Sequence, residues 1–540
     1  MTILTPSQHR KTFLKNALFV WIFLSALVIG SSIWLSEGHL IYTLDDPYIH
    51  LSVAENIIRG GYGVNTNEFA SPSSSILYPL ILSLGEIIGA AQFTPLVLNI
   101  IATGFSVYIL LDFFWYYVLP QETRSNNIFA NLTAFLLILS ISSLALPMTG
   151  MEHSLHVLVA LATIRGLISL VEDDICSCSF MLVVIVGPLI RFEGLALSGA
   201  SVMALLFLGH QRKAIGIILF IAGTITLYSV TMISLDLSIL PSSVMVKSNV
   251  FVAGTNQSGI GNSLLALVAN FRASLAERWG LIFLTAIIIA ILIMRSDFIK
   301  RSSSHRKMWN SPKFIIGGVL ILSLLAHIIA GRYDWFHRYE VYAVSIMILG
   351  MLYLLREKLR AAFRKNDRKT KLFFIGTFIF LIIPYGFATI ATPFASRGIY
   401  EQQFQMHRFA TTYFARPVAV NDLGWTSYKN DQYVLDLWGL GSETARKLRA
   451  NNMLDANTIR TLVIDKNIDY AMIYNVWLGA NIPSQWCLIA KLKSTPVTAA
   501  SGTVDFYAAT DFAKENMNFA LEKFAKTLPK SVKLKRFTCS

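Results

Sequence analysis

The chain has 540 residues, of which 54% are hydrophobic and 14% charged, and its mean hydropathy is +0.54. That composition excludes an ordinary soluble globule: the apolar runs are too many and too long for a soluble core, since roughly 20 residues cross a bilayer. The formal charge of +14 does not point to nucleic acid, because the lysines and arginines sit in short loops between apolar runs, the positive-inside pattern.

In chain order, Met1 to Lys15 is polar and basic, which predicts a cytoplasmic N-terminus, and Leu18 to Leu35 is the first span. No small-residue cleavage site follows it cleanly, so it reads as a retained helix rather than a signal peptide. Residues 37–75 then form an outer-face loop containing Thr43-Leu44-Asp45-Asp46-Pro47-Tyr48-Ile49-His50. Pro47 suits a first helical turn and Asp46 before it suits an N-cap. Ile49, Val53, Ala54, Ile57 and Ile58 recur at helical spacing up to Gly60-Gly61, which predicts a short amphipathic helix lying along the interface. With Asp46 spent on the cap, Asp45 is the carboxylate left for chemistry; two aspartates that only start a helix explain the same residues.

Further apolar runs follow at about 76–91, 96–119, 128–146, 155–171, 180–190, 195–208, 215–235, 281–294, 314–330, 341–355 and 372–391. Three loops are clearly basic, His210 to Lys213, Arg295 to Lys313 and Arg356 to Lys371, and should face the cytoplasm. Counting spans forward from Met1 puts Thr149 to Glu152 inside, whereas counting back from the basic loops puts it outside. One run between Ile76 and Leu208 is therefore miscounted, as a re-entrant or merged segment would be.

From Thr392 the composition changes. Pro417 to Gly424, Tyr433 to Leu440, Tyr470 to Tyr474 and Val504 to Tyr507 read as strands, and Glu443–Asn451 and Thr458–Lys466 as helices. These make a small α/β domain over 392–540, following a membrane module over 1–391. The tail with Lys523, Lys526, Lys530, Lys533, Lys535 and Arg536 reads as a basic helix or a disordered end. The four cysteines, Cys176, Cys178, Cys487 and Cys539, form no framework, and Cys176-Ser177-Cys178 lacks zinc-site spacing. There is no internal repeat, and the sequon Asn256-Gln257-Ser258 carries no weight.

Several polar clusters beside the spans suit a membrane enzyme. Thr149-Gly150-Met151-Glu152-His153 carries a carboxylate and an imidazole, though an ordinary polar turn accounts for it equally well. Arg191-Phe192-Glu193-Gly194 interrupts an apolar stretch; Arg191 and Glu193 must pair there or line a wet cavity. Lys247, after Leu240-Pro241, is within reach of an anionic headgroup or is an ordinary surface lysine. In Gly331 to Glu340, an aromatic belt explains Trp335 and Phe336, while Arg332, His337 and Arg338 have phosphate as their natural partner.

The order of these clusters is more specific than any one of them. Asp45-Asp46-Pro47-Tyr48 after the first span, Gly150-Met151-Glu152, Arg191 to Leu195, Leu240 through Lys247, Asp334 to Arg338, Asn421-Asp422-Leu423-Gly424 and Val434 to Leu440 form a series over nearly the whole chain. The series resembles the GT-C superfamily of polytopic glycosyltransferases, most closely the bacterial group that includes the mycobacterial terminal arabinofuranosyltransferase. Two departures are Arg191-Phe192-Glu193, where the pattern usually has a central proline, and Ser242-Ser243 in place of a polar-aromatic run.

The resemblance implies a GT-C-like polytopic helical fold of about 11–13 spans with a C-terminal α/β domain on the outer face of a bacterial inner membrane. It implies an inverting transfer of a sugar from a polyprenyl-phosphate donor to a glycan, lipid or protein acceptor, with membrane lipids and no nucleic acid as partners. The first carboxylate of the pair, Asp45, is implied as the base, ionised at neutral pH if its pKa is ordinary. Asp46 would cap, orient Asp45 or share a divalent metal with it; no cofactor is otherwise implied. Lys247, Arg332, His337, Arg338 and Arg191 would meet the donor phosphate, with Glu152 and Glu193 in support. The alternative is a transporter or flippase for lipid-linked glycans, which should carry polar or broken helices inside matching halves; here charges cluster in loops and the halves do not match.

Overall fold

The computed structural model describes residues 6–123, 128–247, 260–302 and 311–539. It is mostly helical. Among the described residues, seven helices are long and apolar enough to cross a membrane: Gln8–Leu35, Ala91–Val118, His153–Asp173, Gln211–Ser234, Arg278–Ile299, Pro312–Ala330 and Arg368–Tyr413. Shorter apolar helices span Tyr78–Ile87, Ile128–Ser140, Cys178–Ile190, Gly194–Phe207 and Leu265–Ala276. The long helices turn large apolar side chains outward, Phe19, Ile22, Phe23 and Leu27 on the first and Leu219, Phe220, Leu227 and Val230 on Gln211–Ser234. Such surfaces suit lipid and not water.

Among the runs between Ile76 and Leu208, the one at 76–91 forms the shortest helix. Its helix, Tyr78–Ile87, has 10 residues and rises about 15 Å, half the hydrocarbon thickness. With this run removed from the count, the forward and backward counts agree on every later loop.

The chain divides into two compact units, Met1–Val28 with Leu96–Thr226 and Leu267–Ile390, and Ile29–Pro95 with Leu227–Ala266 and Ala391–Ser540. The compositional boundary at 391 therefore opens only the last of the second unit's three segments.

The first unit is a helix bundle whose core joins Leu161, Ile164 and Ile168 to Ile316, Leu320 and Leu324 and to Val344, Ile348 and Leu352. Helices Cys178–Ile190 and Gly194–Phe207 close onto each other at their shared turn. A Cβ on Gly194 would stand 2.5 Å from the Gly187 carbonyl oxygen, so only glycine permits the approach that makes Arg191-Phe192-Glu193 a tight corner.

The second unit is built on a six-stranded sheet of β1 (Val418–Val420), β2 (Val434–Asp436), β3 (Tyr470–Ile473), β4 (Cys487–Lys493), β5 (Thr503–Ala508) and β6 (Lys533–Arg536). The strand order is β2-β1-β3-β5-β4-β6. β1 is parallel to β2 and β3, and the remaining pairings are antiparallel. Side chains alternate between two buried faces: Val418, Val420, Tyr470 and Met472 pack with the helix Asp511–Ala525, and Ala419, Leu435, Ala471 and Ile473 with the helix Ala456–Asp465. That is period-two patterning under cover on both sides.

Three sequence expectations change. The cysteines do make a bond, Cys487–Cys539, tying β4 to the end of the chain. Of the basic tail, Lys523 lies in the last turn of the helix Asp511–Ala525, and Lys533, Lys535 and Arg536 lie on the edge strand β6, which they protect from further pairing. The helix Asp46–Ile58 does not float at an interface: Pro47 through Ala54 and Asn56 are buried, packed in its own unit against Tyr78–Ile87 and Gly424–Ser427. The sequon at 256–258 lies outside the described residues.

Candidate functional site

In the second unit the site begins with the loop Tyr42 to Asp46. The helix starts at Asp46, half-buried in its first turn, and Asp45 takes the N-cap position without capping through its side chain. Asp46 is therefore not the N-cap expected of it. The physical reason is a better set of donors: Asp45 turns its carboxylate to another backbone, accepting the Gly424 N–H at 2.6 Å and the Trp425 N–H at 2.8 Å. These amides open the short helix Gly424–Ser427 directly after β1. A carboxylate there gains two charge-assisted hydrogen bonds. The Trp425 ring also stacks on Tyr48 at 4.0 Å, so the two motifs interlock by backbone and by ring.

Asp422 lies beside Asp45. It leaves the carboxyl end of β1, and the Asp45 and Asp422 carboxyls are close enough to shift one another's titration. Asp422 Oδ2 meets Gln403 Nε2 at 3.0 Å and the Tyr474 hydroxyl at 3.1 Å. Burial first, and then the Asp422 charge, push the Asp45 carboxyl well above the ordinary carboxylate range. Burial also pushes Asp422 up. Two acids this close hold a proton between them where isolated acids would not. The ordinary pKa expected for Asp45 is thereby overturned, and a base whose pKa moves toward neutral is better matched to proton abstraction.

The neighbouring motifs are structural. Asp436 at the end of β2 accepts the N–H groups of Trp438, Leu440 and Gly441 and folds the turn after it. Asn421 exchanges two hydrogen bonds with the Tyr474 backbone and ties β1 to β3. Lys247 closes the helix Ser242–Lys247, and its side chain lies outside the described residues.

In the first unit, Arg191 lies between two carboxylates, Nη1 at 2.5 Å from Glu152 and Nη2 at 2.7 Å from Glu193. Glu152 is fully buried, so the arginine satisfies it, as the polar interruption of an apolar stretch requires. The Tyr339 ring gathers three guanidiniums, with Arg338 at 4.9 Å, Arg332 at 5.3 Å and Arg191 at 5.6 Å from its centroid. The Arg338 guanidinium also donates to the Tyr339 hydroxyl at 3.0 Å. Like charges converge on one ring only when its negative face, or an anion, offsets their repulsion.

Arg332 and Arg338 converge on Tyr339, and His337 turns to Glu340, because the chain between the arginines coils the unusual way. Asp334, Trp335, Phe336 and His337 all have positive φ, at 66°, 50°, 67° and 56°. A left-handed turn of non-glycine residues costs roughly 1–2 kcal/mol per residue. Buried Glu340 holds it, accepting the Asp334 N–H at 3.0 Å and meeting His337 Nδ1 at 3.3 Å.

Asp45, Asp46, Arg191, Glu152, Glu193, Arg332, His337 and Arg338 are thus placed within their own units. Asp422, Tyr339 and Glu340 were not singled out as site members. An available signal for Asp422 was its position past the carboxyl end of a predicted strand, where α/β sheets bind ligands. Among the described residues no group of three or more His, Cys, Asp or Glu is arranged to hold a metal ion, and both Asp45 oxygens already accept amide hydrogens.

A protein-family profile described as a domain of unknown function (DUF8728) matches residues 395–507. No curated protein matches the chain. Among solved structures the chain is similar to ArnT from Cupriavidus metallidurans bound to undecaprenyl phosphate, at 10% identity and a TM-score of 0.48, over 91% of this chain and 98% of that one. The apo state of ArnT gives 13% and 0.42, over 92% and 98%. The arabinofuranosyltransferase AftD from Mycobacteria gives 13% and 0.40, over 92% of this chain and 41% of that one.

Proposed function

We propose that this protein is an inverting membrane glycosyltransferase that moves a sugar from a polyprenyl-phosphate donor to a cell-envelope glycan, lipid or protein acceptor. The observation that carries the reading is the Asp45 carboxylate, buried, aimed by the Gly424 and Trp425 amides and raised in pKa beside Asp422. Asp45 accepts the proton of the acceptor hydroxyl while that oxygen bonds to the anomeric carbon. The bond from that carbon to the phosphate oxygen breaks on the opposite face, which inverts the configuration. Such a base typically contributes ~10²–10⁴-fold. The departing lipid phosphate gains negative charge, which a cation must offset; within the first unit, Arg332 and Arg338 beside Tyr339 make a cluster of the kind that binds phosphate.

The Cys487–Cys539 disulfide supports an extracytoplasmic second unit, because such bonds persist in oxidising compartments. The three basic loops support the same orientation.

The test is sugar transfer from radiolabelled polyprenyl-phosphate sugars by the purified protein, wild type beside Asp45→Asn and Asp46→Asn, with and without EDTA. Turnover that Asp45→Asn abolishes supports the reading, and the EDTA lane decides whether a divalent ion takes part. Transfer unchanged in Asp45→Asn refutes the assignment of the base. Donor movement across liposomes with no turnover replaces the enzyme with a flippase.

A further inference from the structure

The second unit also holds a cavity of about 360 Å³ that none of these steps uses, lined by His39, Tyr400, Phe404, His407, Arg408 and Thr412 among others. That volume falls within the range of small-ligand sites. Its wall follows from the sequence: Tyr400 lies near the end of the helix Arg368–Glu401, and Phe404, His407 and Arg408, at spacings of three and one, share one side of the helix Gln403–Arg408. The rings pack into a cluster, with His39, Tyr400 and Phe404 mutually in contact at 5.2, 5.3 and 5.5 Å and His407 joining Phe404 at 6.2 Å.

Beside this cluster the hydrogen bonds of the Arg408 guanidinium to the described residues go to neutral groups. Arg408 donates to Gln405 Oε1 at 2.7 Å, the Thr527 carbonyl at 3.2 Å, the Thr527 hydroxyl at 3.1 Å and the Tyr413 hydroxyl at 3.2 Å. The nearby acids are engaged elsewhere. Glu37 accepts the Tyr400 hydroxyl at 2.9 Å, and Glu401 pairs with Arg397 at 2.6 Å and accepts from Ser531. The cavity therefore presents a fixed cation and two imidazoles without a carboxylate among its lining residues. Aromatic rings take the C–H face of a sugar, and a preorganised guanidinium takes a phosphate or carboxylate.

We propose that this cavity binds an anionic saccharide, with its ring against the cluster of His39, Tyr400, Phe404 and His407 and its phosphate or carboxylate on Arg408. On the reading above, that saccharide belongs to the acceptor. Binding is measured without turnover, so a failure of the transferase reading and a failure of this one are distinguishable.

The experiment is calorimetric titration of the purified full-length protein with a hexose 6-phosphate, a hexuronic acid, the neutral hexose and inorganic phosphate. A parallel arm uses phosphatidylcholine vesicles with and without a uronic-acid glycolipid, which separates a lipid headgroup from a free sugar. The anionic sugars should bind at least about tenfold more tightly than the neutral hexose or phosphate. Arg408→Gln should remove that margin and leave neutral hexose unchanged, while Phe404→Ala should weaken every sugar. Because Arg408 also braces Thr527, Arg408→Lys, which keeps the charge, and Thr412→Val, at an exposed cavity hydroxyl, are titrated alongside with their melting temperatures. Anionic sugars binding no better than phosphate, or binding equally to wild type and a folded Arg408→Gln, overturns the proposal.

Discussion

Gly424→Ala tests whether the Asp45 carboxylate is positioned by the turn after β1. Gly424 opens a helix, where alanine is ordinarily favoured over glycine by up to about 1 kcal/mol, so propensity alone predicts a mild gain. The structure predicts a loss. A Cβ at Gly424 would stand 2.1 Å from the Asp45 carbonyl oxygen and 2.5 Å from both Cγ and Oδ2. These atoms are not the end of a flexible chain; they are the backbone and the short carboxylate of a residue held at both ends. Asp45 must therefore retreat from the Gly424 and Trp425 amides. Each hydrogen bond to a charged group is worth about 1.5–3 kcal/mol, so losing both outweighs the propensity gain. The displacement also matters for catalysis, since a misplacement of about 1 Å can cost ~10²-fold. The assay is sugar transfer and thermal unfolding of Gly424→Ala beside Gly216→Ala, where an added Cβ meets nothing within 4 Å. A Gly424→Ala protein with wild-type turnover and melting temperature would refute the claim that this turn aims Asp45.

Three further outcomes follow from the same contacts. Arg191→Gln leaves Glu152 buried without its cation and should destabilise the first unit by about 3–5 kcal/mol, read as thermal unfolding in detergent; adding Glu152→Gln should recover most of the loss, and no recovery would dismiss the pair. Removing the Cys487–Cys539 bond, which closes a separation of 52 residues, with Cys487→Ser and Cys539→Ser should cost about 4 kcal/mol by chain entropy, and faster hydrogen exchange in β6 than in β3 would show where the loosening begins. The acids Asp45 and Asp422 are both raised, so their shared proton stabilises the fold below the ordinary carboxylate range, and that contribution is lost as pH rises through the raised values. Asp422→Asn removes one of the two charges and should flatten the loss; parallel pH profiles of melting temperature for variant and wild type would rule the coupling out.

Much of the second unit was legible locally. Strands β1, β2, β3 and β5 and the helices Glu443–Ala450 and Ala456–Asp465 follow from short apolar runs between turn residues, because each carries its own period. β4 and β6 did not stand out: Cys487–Lys493 opens on a short apolar run that suits a helix or a strand alike, and Lys533–Arg536 sets one leucine among basic residues, which in a basic tail also suits a helix or a solvated end. The disulfide was hidden for a similar reason, since a pairing between two cysteines 52 residues apart leaves no spacing rule to read.

The candidate site was legible in its parts and not in its pairing. Asp45 stood out because two adjacent carboxylates follow a span, yet the capping argument considered only the helix they begin, the nearest source of unsatisfied amides. The donors that claim Asp45 lie 379 and 380 positions away in sequence, and nothing in a local window weighs a near helix end against a distant one. Burial decided the contest: at 7% exposure a carboxylate needs strong donors, and two amides at the start of a helix after a parallel strand supply them. The same burial raises the pKa that local reading took as ordinary. A sequence can nominate an acid by its company; its protonation depends on what the fold places beside it, which here is Asp422.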